Sequence, residues 1–175
     1  MKKRTRIIGM ALVLVAMLLL ATVPTLARST ETDFEAFAFI CAAEPPVSEW
    51  YTDGGTVLHQ RGVVVHSILV SDEPRMNGIG RDVLHQDLNL STGDGQAWGH
   101  SVFEMDAGIW RAVWKGEYTG LVVTTHASGH GSHGFEGQAF LWEGQQIPIP
   151  GEDPCPDGAT TVLYASGVIV DHKGD

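Results

Sequence analysis

Basic residues are scarce in this chain. Eleven Lys and Arg stand against 21 Asp and Glu, a formal net charge of -10 at pH 7. Nucleic-acid binding needs a basic surface to neutralise phosphates, so that class is excluded as a partner. Charged residues of either sign make up only 18% of the 175 residues, and 43% are hydrophobic. Disordered chains show the reverse balance, so the chain is read as folded. The known catalytic signatures are missing as well. There is no Gly-x-Ser-x-Gly elbow, no His-Glu-x-x-His and no phosphate loop, and no pattern supports a serine or cysteine nucleophile. No long helical periodicity appears anywhere after residue 27.

One long apolar run is present, at the start. Lys2, Lys3, Arg4 and Arg6 precede Ile7 to Val23, which carry no charge, and Thr25 and Ala27 supply small residues before a cut after Ala27. A basic start, an apolar stretch and a small-residue site predict a secretory signal peptide over residues 1–27. The alternative is a permanent anchor helix, for which 17 residues are at the short limit. No cysteine follows the run directly, which argues against a lipoprotein anchor. The expectation is an exported protein, periplasmic or extracellular, with no stable membrane insertion once the leader is cut. Losing the four leading basic residues leaves seven against 21 acids, a net charge of -14 over residues 28–175. A charge of that size favours solubility and disfavours polyanions.

Cysteine is equally sparse: only Cys41 and Cys155 occur. In an oxidising compartment two cysteines most simply pair, and a Cys41–Cys155 disulfide is expected.

The remaining sequence consists of short apolar runs separated by Gly, Pro, Asn and Asp. Leu84, Leu88 and Leu90 alternate with Arg81, His85, Asp87 and Asn89. Trp110, Ala112, Trp114 and Tyr118 alternate with Arg111, Lys115 and Glu117, Val113 being the one apolar exception. Period-2 alternation marks strands with one wet face. About eight such runs, with turns at short intervals and no helices between them, predict an all-β fold of antiparallel strands, a sandwich or barrel occupying 28–175. Residues 143–159, with four prolines and three glycines, are expected to be a loop. Closure into a barrel would also remove exposed edges.

Tryptophan recurs beside glycine in Gly95-x-x-Trp98-Gly99, Gly108-x-Trp110 and Trp114-x-Gly116. Glycine in strands permits the bulges and bends of barrel corners. The aromatic residues Trp98, Trp110, Trp114 and Phe140 are the candidates for lining the barrel. They either pack its core or border a cavity for a small apolar ligand.

The residues from Gly108-Ile109-Trp110 through Trp114-Lys115-Gly116, Gly129-His130-Gly131 and Phe135-Glu136-Gly137-Gln138 resemble the second half of the allene oxide cyclase-like barrels. The segment Asp72-Glu73-Pro74-Arg75-Met76-Asn77-Gly78, followed by Asn89 and Gly95-x-x-Trp98-Gly99, looks like exported bacterial members of the same group. The resemblance covers roughly residues 56–142 and implies a single eight-stranded antiparallel β-barrel of the calycin-like kind. It does not carry over the cyclase activity. The family's enzymes place a cysteine inside the barrel, and none lies between Cys41 and Cys155 here.

Two constellations could carry chemistry. His126, His130 and His133 fall within eight residues and would converge on a divalent metal ion if the intervening glycines fold the chain back. The spacing is no zinc signature, and the alternative is a solvated glycine-rich turn that happens to hold histidines. The sequence calls for no other cofactor. Asp82, Glu104 and Glu136 lie on expected strands; a buried one could act as general acid or base, though strand carboxylates mostly face outward. Three functions follow: a barrel binding a small apolar or amphipathic molecule, a cyclase or isomerase using the same cavity, and a structural barrel with a histidine-rich metal-binding turn.

Overall fold

Nine strands account for most of the chain, and no α-helix occurs among the described residues. The computed structural model describes residues 29–151 and 153–172, so the expected leader over 1–27 lies outside them. The strands are β1 (Thr30–Ala43), β2 (Ser48–Thr52), β3 (Val57–Ser71), β4 (Gly78–Asn89), β5 (Gly95–Met105), β6 (Gly108–Thr119), β7 (Val122–Ser132), β8 (Gln138–Ile147) and β9 (Thr161–Asp171).

All neighbours are antiparallel, and the sheet closes on itself. β1 pairs β9 from Thr30↔Asp171 to Ile40↔Thr161, and pairs β3 from Ala36↔Ser71 to Ala43↔Val65. The result is the expected eight-stranded antiparallel barrel, with β2 added outside that count. β2 pairs the far end of β3, Ser48↔Arg61 to Thr52↔Val57. Gly62 makes that change of partner possible. It is the unpaired residue where the β3–β4 register shifts and has φ +70, a left-handed conformation that glycine tolerates best.

Two boundaries differ from the sequence reading. β8 continues to Ile147, so the loop begins at Pro148 rather than at residue 143. β7 runs on through Gly129, His130 and Gly131 to Ser132, where a glycine-rich turn was expected. In both places ladder pairing to neighbouring strands outweighs the local turn tendency.

The alternation predicted for β6 sorts its faces: Trp110, Ala112 and Gly116 are buried, while Arg111, Val113, Lys115 and Glu117 are exposed. One barrel end is filled by Phe34, Leu69, Met76, Phe103, Trp110, Phe135, Phe140 and Ile169, all buried. Trp110 stacks on Phe135 at 4.8 Å and meets Phe140 edge-on at 5.3 Å. Its Nε1 donates to the Arg75 carbonyl at 2.8 Å, which fastens the Pro74–Met76 turn across this end. Arg75 in turn pairs with Glu73 (2.8 Å) and Asp171 (3.1 Å).

Strand glycines make room for these rings. A Cβ on Gly99 would lie 2.9 Å from the Trp114 ring, on Gly167 2.7 Å from Phe34, and on Gly108 2.8 Å from Phe135. The glycine excess is therefore as much a packing device as a turn signal.

A second, smaller core lies on the outside of the wall. Phe39 and Val162 are buried there beneath Cys155, with Ile147 and Ala159 beside them. The Cys41–Cys155 disulfide pins the Pro148–Thr160 loop over this patch. No helix among the described residues is long and apolar enough to cross a membrane.

Candidate functional site: the barrel cavity

Above the aromatic floor the barrel encloses a cavity of about 210 Å³. Larger depressions exist, the greatest near 780 Å³, but they are open grooves on the outer wall around exposed groups such as His126 and Glu143. Polar groups in the barrel interior are removed from water, where their interactions are stronger and their mispairing costs more. The interior is therefore the better candidate.

Its walls are mostly apolar, with Leu84, Ala97, Val123 and Leu163 around the sides and Phe103 and Trp142 adjoining the floor. Phe103 and Trp142 pack with ring centroids 5.5 Å apart. Against these walls stand a few polar groups. Asp82 on β4 shares the inward face with Leu84, and Ser101 on β5 pairs directly with it across the ladder. Ser101 Oγ donates to Asp82 Oδ1, and Ser101 is only 2% exposed. Burial pushes the Asp82 carboxyl up to about 6; the Ser101 hydroxyl, the Trp114 indole and His100 pull the other way and offset burial only in part. The Trp114 N–H faces Asp82 without reaching hydrogen-bond geometry, and the indole nitrogens of Trp114 and Trp142 are both buried without a partner.

The mouth is rimmed by a hydrogen-bonded chain. Tyr118 Oη donates to Gln86 Oε1 (2.8 Å), Gln86 Nε2 to Gln60 Oε1 (2.6 Å), and Gln60 Nε2 to Glu49 Oε2 (2.7 Å). The rim thereby links the cavity to β2. Burial pushes the Tyr118 hydroxyl up from its ordinary value.

The four aromatic candidates divide three ways. Trp114 borders the cavity. Trp110 and Phe140 face inward but are 0% and 1% exposed and fill the closed end. Trp98 is a correction. It shares its parity with Gln96, His100 and Glu104, whereas Ala97, Ser101 and Phe103 point inward, so Trp98 sits on the outer wall. There it packs on Arg61 (4.7 Å) and His85 (5.9 Å), and Trp50 of β2 covers the same guanidinium at 4.9 Å.

The histidine trio is likewise not brought together. His126 and His130 are exposed on one extended strand, four residues apart, which separates their Cα atoms by about 13 Å at 3.3 Å per residue. His133 lies beyond the strand end with φ +51, and His126 Nδ1 sits 3.4 Å from Glu143. No group of three metal-ligating side chains converges among the described residues. Of the three carboxylates, Glu104 and Glu136 are exposed and Asp82 alone is enclosed. Ser101 and Trp142 were missed by the sequence reading. Trp142 shares the parity of Phe140, and Ser101 that of Phe103, which was the available signal.

Comparison with family models, curated proteins and solved structures found no match.

Proposed function

We propose that this protein is an exported barrel that binds a small, largely apolar molecule in its interior cavity. The observation that carries the reading is the combination of apolar walls with a few buried polar groups: Ser67, Thr125, Asp82 held by Ser101, and the two unpartnered indoles. Concave apolar pockets with a small number of placed polar groups are the usual form of small-molecule sites. The resemblance to allene oxide cyclase-like barrels fits this reading. Export is supported by the leader-like residues 1–27 and by the disulfide, which persists in oxidising compartments.

A second reading, a cyclase or isomerase, is favoured by one observation: a carboxyl raised to about 6 beside a cavity is poised for general acid or base chemistry. Native mass spectrometry of the purified protein tests the binding reading. A co-purified molecule released by unfolding is expected. A clean apo mass, together with failure of small apolar probes to perturb the Trp114 indole in NMR, would remove it. Turnover of a bound molecule that is lost in Asp82→Asn while binding persists would move the assignment to the enzyme.

A further inference from the structure

Two indole N–H groups, those of Trp114 and Trp142, are buried without a hydrogen-bond partner, and both residues border the cavity. Native proteins leave few buried donors unpaired, because each has given up its water without compensation. Trp114 faces the Asp82 carboxylate without reaching hydrogen-bond geometry, and Trp142 neighbours the rings of Phe103 and Phe140. We infer that the ligand is a neutral, ring-sized molecule carrying a carbonyl oxygen, which accepts from the Trp142 indole N–H and shares that of Trp114. This rests on the cavity being the binding site.

Each part of the description has its own reason. The carbonyl follows from donors without acceptors. Exclusion of an anion follows from Asp82, which in its ionised form would repel a carboxylate in this low-dielectric space, and exclusion of a cation from the indole N–H groups, whose positive ends would face it. Ring size follows from volume, since about 210 Å³ exceeds the roughly 150 Å³ apolar cavity that takes up benzene but is smaller than drug-sized pockets.

The test uses two probes of nearly the same shape, acetophenone and α-methylstyrene, which differ in carrying C=O or C=CH2. Both are titrated into the protein at pH 7.5 and followed by NMR. Acetophenone is expected to bind about tenfold more tightly, and the ratio to fall to about twofold in Trp142→Phe, which keeps a ring and removes the donor. Equal binding of the two probes by the wild type overturns this inference while leaving cavity binding standing. Failure of both to bind overturns the cavity reading with it. A ratio unchanged in both Trp142→Phe and Trp114→Phe overturns the assignment to the indoles. Should a variant not fold, the wild type still decides. Acetophenone, but not α-methylstyrene, should move the Trp142 indole proton downfield, and identical responses to the two probes would overturn the inference.

Discussion

Ser101 Oγ donates a hydrogen bond to Asp82 Oδ1 inside the barrel, where burial holds the Asp82 carboxyl near 6 instead of 3.8. The folded state thus binds this proton more tightly than the unfolded chain does. Its contribution to stability is full below about 4 and is lost as pH rises through about 6. At 1.36 kcal/mol per pH unit the difference is roughly 3 kcal/mol. Asp82→Asn keeps an acceptor for Ser101 and cannot ionise. It should flatten the fall in stability between pH 4 and 7 and exceed wild type at pH 8 by up to about 3 kcal/mol. Urea unfolding at pH 4, 6 and 8 measures this, and parallel pH profiles for the two proteins would refute it.

The disulfide joins residues 114 apart in sequence and holds the Pro148–Thr160 loop over Phe39 and Val162. Closing a loop of that length stabilises by about 4–5 kcal/mol in the chain-entropy model, and losses of about 2–5 are typical when a native bridge is removed. Replacing Cys41 and Cys155 together by serine should cost an amount in that range and open the loop to proteolysis. Urea unfolding and limited digestion check both effects. A double variant as stable and as protease-resistant as wild type would show that the small outer core holds without its pin.

The barrel was legible because alternation survives in most strands. On β6 the inward set Trp110, Ala112, Trp114 and Tyr118 could be read directly, and Val113 lies outside as its parity requires. β2 was not legible: it has five residues, all exposed, so no burial pattern marks it. The end of β7 was hidden by its glycines, which suggest a turn locally but make room for the Phe140 ring and the Phe135 backbone in the closed barrel. Asp82 was ambiguous because strand carboxylates usually face water, although its parity with Leu84 placed it inside. The histidine spacing was misleading for the opposite reason. Convergence required the glycines to fold the chain back, but Gly129 and Gly131 stay in an extended strand, along which four residues is a long step.

Gly129 lies against the Phe140 ring, and any Cβ there would collide with that ring. The ring has nowhere to move, being boxed in by Trp110 at 5.3 Å and Trp142 at 5.6 Å. Gly129→Ala should therefore destabilise by about 1–3 kcal/mol through overpacking. Phe140→Leu relieves the ring clash and leaves only the Arg111 carbonyl at 2.9 Å, so the double variant should cost at least about 0.5 kcal/mol less than the two single costs added. Urea unfolding of the four proteins gives the coupling. Strict additivity would mean that the strand backbone, not the ring, absorbs the extra methyl.

Trp98 and Trp114 occupy neighbouring strands on opposite sides of the same wall, and their substitutions should separate stability from binding. Trp98 holds the Arg61 guanidinium against Trp50, and Arg61 also pairs with Asp87 at 2.7 Å. Trp98→Ala should loosen β2 and cost about 1–2 kcal/mol from lost ring burial and the cation–π contact. Amide hydrogen exchange over Ser48–Thr52 should speed up, while α-methylstyrene binding in the cavity changes by no more than about twofold. Trp114→Ala enlarges the cavity itself and should shift that affinity well beyond twofold. Exchange and probe titration on both variants decide the matter. An equal effect of the two substitutions on probe affinity would mean that the outer cluster, through Arg61 and the rim at Gln86, shapes the cavity mouth as strongly as the wall does.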